Sequence, residues 1–220
     1  MNGDEDRLRE QAVQAIRKLD ALGLNRGSTG NLSLRLARGG VDGMLITPTG
    51  MGADELQAPD MVWVGFDGAV QGDWLPSSEW HLHQAILQCR ADLQGVVHTH
   101  SVHATALACL ERELPPFHYM VAVAGTDTIP CVPYHTFGSQ ALSAAVAAAL
   151  SDRNACLLAH HGLVAAGATL AQAMKIAIEI ESLCEVYLKA LVVAEPARLS
   201  AAQMAEVLDK FSSYGRSRRA

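Results

Sequence analysis

The sequence predicts one α/β domain, on three observations. Stretches of helical and of extended periodicity interleave along the whole chain, no internal repeat or long linker interrupts them, and 220 residues suit a single core. Half of the residues are hydrophobic and 18% are charged, a balance typical of a soluble globular chain. Aromatic residues make up only 5%, so small aliphatic side chains must do most of the packing.

The first helix is expected over residues 5–22, where Leu8, Val13, Ile16, Leu19 and Leu22 recur at helical spacing and Gly23 supplies the stop. A loop rich in glycine and small polar residues follows over 23–31. Residues 32–36 alternate like a half-buried strand, 44–47 form a short apolar strand ended by Pro48-Thr49-Gly50, and 61–66 form another before a turn at Asp67-Gly68. Pro76-Ser77-Ser78 leads into a helix reaching about Arg90, with Ser78 as its expected N-cap. Residues 95–100 read as a buried strand and 102–110 as a helix. An extended piece is expected over 128–133 and an alanine-rich helix over 139–150. Residues 156–160 form an apolar strand, and 163–166 extend again after His161-Gly162. A long amphipathic helix covers 169–194, ahead of Pro196, and a last one begins at Ser200, with Glu206 and Lys210 at the favourable i,i+4 spacing.

Composition narrows the function. The formal net charge is 17 − 23 = −6, and the only basic cluster, Arg216, Arg218 and Arg219, reads as a solvated end. Nucleic acid is therefore not an expected partner, because binding a phosphate backbone needs many Lys and Arg on one face. The cysteines, Cys89, Cys109, Cys131, Cys156 and Cys184, are odd in number and widely spaced, and no CxxC occurs. That excludes a disulfide framework and a cysteine zinc site, and points to free thiols in a reducing compartment. The acidic start, Met1-Asn2-Gly3-Asp4-Glu5-Asp6, is unlike a signal peptide, and no run of about 18 apolar residues occurs to make a membrane span. The expected compartment is the cytoplasm.

The chemistry concentrates in the histidines. His98 and His100 fall at the end of a predicted strand, and residues i and i+2 of a strand share a face, so the two imidazoles point together as a chelating pair would. His160 and His161 end a second strand, and Glu79, a carboxylate at the start of a helix, can complete a metal site with exchangeable coordination. Spacing does not choose between His160 and His161, nor does it exclude His81, His83, His103, His118 or His135. His81 and His83 are two apart on a helix and face different ways, which favours surface or packing roles. Three segments combine hydroxyls, glycine and backbone donors: residues 27–31, residues 47–50, and Ser77-Ser78. Each alone reads as an ordinary turn; together with a metal set they suit phosphate. No GxxxxGK[ST] or GxGxxG pattern supports nucleotide binding.

Several motifs now stand in a specific order: Gly30-Asn31-Leu32-Ser33, Ile46-Thr47-Pro48-Thr49-Gly50, Pro76-Ser77-Ser78-Glu79-Trp80, Val97-His98-Thr99-His100 and His160-His161-Gly162-Leu163. With Leu22-Gly23-Leu24-Asn25, His118-Tyr119-Met120, Ile129-Pro130-Cys131, Thr136-Phe137-Gly138 and the final Lys210-Phe211-Ser212-Ser213-Tyr214-Gly215, they resemble the class II aldolase/adducin family over nearly the whole chain, and most of all its bacterial branch acting on L-fuculose 1-phosphate. The resemblance implies one domain over residues 1–220, with three α/β/α layers around a central, mostly antiparallel sheet.

It further implies a divalent metal, zinc with manganese or cobalt as alternatives, on Glu79, His98, His100 and His161. The phosphate would lie among Ser28, Gly30, Asn31, Thr49, Gly50, Ser77 and Ser78, and Phe137 and Tyr214 would help close the pocket. Family members are homotetramers with active sites between subunits, so Tyr119 would arrive from a neighbour and hydrogen-bond to, or protonate, the departing aldehyde oxygen. The implied reaction is reversible cleavage of L-fuculose 1-phosphate, or a closely related ketose 1-phosphate, to dihydroxyacetone phosphate and an aldehyde such as L-lactaldehyde. Glu79 would carry the proton.

Related frames carry other reactions. They include a 5-deoxyribulose-1-phosphate aldolase, a methylthioribulose-1-phosphate dehydratase, a 3-oxo-tetronate-4-phosphate decarboxylase and an L-ribulose-5-phosphate 4-epimerase. The epimerases carry Asp where Glu79 stands here. Non-catalytic adducin heads resemble the fold but lack the histidine set. His81 and His135 depart from the fuculose-phosphate pattern, and His135 lies beside Thr136-Phe137-Gly138, so the aldehyde preference can differ.

Overall fold

The expected alternation of helices and strands holds along the computed structural model, which describes residues 3–213. In chain order the helices are α1 (Gly3–Ala21), α2 (Trp80–Cys89), α3 (Val102–Cys109), α4 (Gln140–Ala149), α5 (Leu170–Leu191) and α6 (Ala201–Ser213). The strands are β1 (Asn31–Arg35), β2 (Gly43–Ile46), β3 (Val62–Gly65), β4 (Val70–Gln71), β5 (Gly95–Thr99), β6 (Cys131–Val132), β7 (Ala155–Leu158) and β8 (Gly162–Gly167). They form one sheet in the order β4-β3-β2-β1-β5-β8-β7-β6. Every neighbouring pair is antiparallel except β6 with β7.

Side chains alternate across this sheet and divide the interior into two cores. Val96 of β5 joins Leu82, Ile86 and Leu87 of α2 and Leu142 and Val146 of α4 on one side. Val97, its neighbour, joins Ile16 of α1, Leu107 of α3 and Ile176 and Ile180 of α5 on the other. The result is three layers, with β1, β5 and β8 buried in the middle. Their residues are almost continuously apolar or small because both faces must be buried. No helix among the described residues is long and apolar enough to cross a membrane.

Some boundaries differ from expectation for visible reasons. Ser78 is not the N-cap of α2; that position is Glu79, and no side chain caps it. A turn closed by Trp80 N–H to Ser77 O (3.0 Å) takes up the residues before the helix, so α2 begins at Trp80. The strand expected to reach His160 stops at Leu158, because His160 adopts a left-handed φ of 56°. Over residues 128–133 only Cys131–Val132 is strand, since Pro130 and Pro133 have no N–H for a ladder. A 3-10 helix at Tyr119–Ala124 was not expected; His118 Nδ1 caps it by accepting from Met120 N–H.

Candidate metal centre

One end of the sheet gathers the chemistry. In β5, His98 stands in register between Asn31 of β1 and Val164 of β8, and its side chain lies on the same face as Val96, toward α2. His100 follows one residue beyond the strand end. The three residues 159–161 turn β7 into β8, and the left-handed His160 lets this short loop close. Immediately after it, Gly162 packs against β5 so closely that a Cβ would lie 2.3 Å from Thr99 O. Only glycine permits that approach, and it carries His161 up to the His98–His100 pair. Glu79 enters from the N-terminus of α2.

The ligand atoms of Glu79, His98, His100 and His161 lie within 4.8 Å of one another. His98 Nδ1 is 3.0 Å from Leu163 O; a carbonyl only accepts, so this nitrogen carries the hydrogen and Nε2 keeps its lone pair. That lone pair faces His100 Nε2 at 2.9 Å and Glu79 Oε2 at 3.3 Å. His161 Nε2 is 3.2 Å from Glu79 Oε1, an oxygen that is buried without a hydrogen-bond donor. Lone pairs and carboxylate oxygens aimed at a common point repel one another unless a cation sits between them. The donor set, three imidazoles and one carboxylate, therefore fits a divalent metal.

Electrostatics keep Glu79, His98 and His100 in their ligating forms. Burial pushes the fully enclosed His98 down to about 3, and burial with the neighbouring His161 lowers His100 as well, so both rings are neutral. Burial alone would raise the Glu79 carboxyl; His98, His161 and a 2.9 Å hydrogen bond from Asn31 Nδ2 outweigh it and hold the group below its usual value. Asn31 in turn meets His83, whose ring is completely buried and pushed by that burial down to about 4.

A cavity of about 330 Å³ opens beside this cluster. Ser28, Gly30, Asn31, Thr49, Gly50, Ser77, Ser78 and Phe137 all line it, with Glu79, His100 and His161; His98 is wholly enclosed behind them. Gly30 is required here, with φ at +75° and the Asn25 side chain where a Cβ would stand. Tyr119 is not brought to this cleft. It is half-exposed and lines a separate cavity with Lys175, Ile176 and Phe211. Tyr214 lies outside the described residues.

The other histidines have separate partners. His160 turns outward to Glu111 Oε1 at 2.9 Å, which leaves His161 as the member of that pair in the cluster. His103 binds Glu181, His118 caps the 3-10 helix, and His81 stacks on Trp80. Tyr134, His135 and His160 also line the cleft. Of these, His135 had a signal in its place beside Thr136-Phe137-Gly138, whereas nothing in the local pattern singles out Tyr134. His83 is a polar residue of the buried network rather than a surface one, and its spacing to Ile86 and Leu87 puts it on the inward face of α2.

Residues 10–188 match the model of the Class II Aldolase and Adducin N-terminal domain family. The chain is 47% identical to a 5-methylthioribulose-1-phosphate/5-deoxyribulose-1-phosphate aldolase of Rhodospirillum rubrum, over 98% of this chain and 96% of that protein. It is 44% identical to the L-fuculose phosphate aldolase of Escherichia coli K12, over 96% of this chain and 97% of that protein. A solved structure of an L-fuculose 1-phosphate aldolase superposes with a TM-score of 0.88 at 36% identity, covering 93% of this chain and 95% of that one.

Proposed function

The chain belongs to the class II aldolase and adducin family as an enzyme of its aldolase kind, and from that premise we propose that it cleaves a ketose 1-phosphate reversibly. The substrate is L-fuculose 1-phosphate or a close relative such as 5-deoxyribulose 1-phosphate, and the common product is dihydroxyacetone phosphate. The observation that carries this reading is a juxtaposition. The loops of Ser28–Asn31, Thr49-Gly50 and Ser77-Ser78 share one cleft with the Glu79, His98, His100 and His161 cluster, so a phosphate and a metal-binding carbonyl fit side by side.

Glu79, His98, His100 and His161 would hold the ion, which we assign as zinc. When bound, it supplies Lewis-acid stabilisation of the negative charge that builds on the substrate oxygens as the carbon–carbon bond breaks. Hydroxyls and backbone N–H groups of the three loops hold the phosphate and fix the reacting carbons over the cluster. Glu79, a carboxylate whose Oε1 has no hydrogen-bond donor, takes up the proton that the substrate hydroxyl loses as it becomes the aldehyde and passes it to the carbon left by cleavage, and it moves the proton the opposite way in the condensation direction. None of the described residues lining the cleft is a lysine, the side chain whose amine would form a Schiff base. Tyr119 and Tyr214 belong to the same reading as groups supplied across the interface of a homotetramer. Tyr119 would meet the aldehyde oxygen, and its exposure away from its own cleft suits that role. Free cysteines throughout suit work in the cytoplasm.

The test is release of dihydroxyacetone phosphate from L-fuculose 1-phosphate, 5-deoxyribulose 1-phosphate and L-ribulose 5-phosphate. Release from one of the two 1-phosphates is expected. Epimerisation of the 5-phosphate with no triose phosphate from either 1-phosphate would overturn the proposal.

A further inference from the structure

Behind Glu79 runs a buried chain of hydrogen bonds in which each donor is fixed by its neighbour. The carboxylate accepts only, so the 2.9 Å contact from Asn31 to Glu79 Oε2 is made by the Asn31 NH₂ group. Asn31 Oδ1 is thereby turned to His83 Nε2 at 2.5 Å, and since a carbonyl oxygen accepts only, Nε2 carries the hydrogen. His83 Nδ1 is left with a lone pair, and the Ser33 hydroxyl donates to it at 2.8 Å. Ser33 and His83 are 0% exposed, so water is not available to the His83 ring as a substitute partner.

The amide of Asn31 has two orientations related by a half-turn. One gives a donor to Glu79; the other points a carbonyl oxygen at a carboxylate. With the donor turned to Glu79, the amide oxygen faces the buried side of the network, and the Nε2–H of His83 supplies the hydrogen bond that satisfies it there. A leucine on this inward face of α2, beside Ile86 and Leu87, would pack without the cost of enclosing an imidazole.

We propose that His83 is a positioning residue for the reaction, acting through Asn31: it locks the amide so that its NH₂ group holds Glu79 Oε2 and aims the carboxylate at the metal cluster. The proposal rests on Glu79 having the role assigned above. Its test therefore includes metal affinity, which is measured without turnover.

The experiment compares wild type, His83→Phe, His83→Gln, Asn31→Ala and the Asn31→Ala/His83→Phe double variant. Zinc affinity is read by competition with a chromophoric chelator, and kcat and KM on the ketose 1-phosphate that wild type cleaves. His83→Phe should weaken zinc binding and lower kcat by about tenfold each, with KM changed less than about threefold, since the hydroxyls and backbone N–H groups that hold the phosphate are untouched. His83→Gln, whose amide can donate to Asn31 and accept from Ser33, should recover most of both. In the Asn31→Ala background, His83→Phe should add nothing further. An equal loss in that background, or wild-type zinc affinity and kcat in His83→Phe, would overturn the proposal. If His83→Phe does not fold, Ser33→Ala carries the same comparison with the ring in place. It should give a loss of about threefold that vanishes in the Asn31→Ala background, and persistence of that loss would overturn the proposal equally. If wild type binds zinc but cleaves no ketose phosphate, the functional reading falls while the zinc measurements still decide the role of His83.

Discussion

Replacing Gly162 with alanine tests whether the spacing between β5 and β8 sets the metal cluster. The new Cβ would sit 2.3 Å from Thr99 O, where an ordinary contact begins at 3.4 Å, so the strands must part by about 1 Å. Overpacking of this kind costs about 1–3 kcal/mol of stability. The larger effect falls on His161, the preceding residue, which moves away from His98 and His100 together with its backbone. Metal–ligand distances tolerate only about 0.2 Å, so a shift near 1 Å removes one ligand, and we expect zinc affinity to fall at least a hundredfold. Turnover should fall by a comparable factor, as misplacing a reacting group by about 1 Å commonly costs ~100-fold. The control is Gly95→Ala, whose Cβ would lie 2.7 Å from Leu170 Cα, at the end of β5 away from the metal cluster. It should lose similar stability yet keep zinc affinity within about threefold, because Gly95 is roughly 10 Å along β5 from His98. Urea midpoints and chelator competition on the two variants give both quantities. A folded Gly162→Ala protein with wild-type zinc affinity would refute the reasoning.

Three further outcomes follow from the same geometry. Glu79→Gln should lose at least about a hundredfold in kcat while inorganic phosphate still binds as a competitive inhibitor with little change; unchanged turnover would remove Glu79 from proton transfer. Ser77→Ala should raise KM for the ketose 1-phosphate by about tenfold to a hundredfold, one hydrogen bond to a charged group, with zinc affinity changed far less. The metal-free protein should be acid-labile, because folded His98 and His83 titrate near about 3 and about 4 while unfolded histidine titrates near 6.5. Between those values the unfolded chain binds more protons, so stability is full above about pH 7 and is lost as pH falls through 6.5. Going from pH 7 to pH 5 should remove roughly 4 kcal/mol for the two rings, read from the urea midpoint, and a midpoint that does not move would contradict the assignment.

Much of this architecture was legible because its signals are local. His98 and His100 are two apart at a strand end, and their convergence needs only the alternation of a strand. The hydroxyl and glycine loops announce themselves as turns, though only the sheet brings residues 28–31 beside Ser77-Ser78. The choice between His160 and His161 was not legible from spacing. It depends on one left-handed residue and on the approach of Gly162 to Thr99 O, and both are tertiary facts. The mistaken cap has the same origin. Ser78 has the right chemistry for an N-cap, but the chain uses the next residue, whose carboxylate is drawn to the histidines. His83 sat at inward spacing with Ile86 and Leu87, but a period says only that a residue is buried; its partners on β1 come from the packing of α2 against the sheet. Tyr119 lies outside the cleft of its own chain, and no pattern within one copy joins it to the metal cluster.

The central claim is that a metal on Glu79, His98, His100 and His161 carries cleavage of a ketose 1-phosphate. Its most direct test is dihydroxyacetone phosphate release by protein dialysed against a chelator, before and after zinc is returned, in wild type and in His98→Ala. The account predicts no release after chelation, full recovery with zinc in wild type, and none in His98→Ala. Undiminished release from metal-free protein, or recovery in His98→Ala equal to wild type, would contradict it.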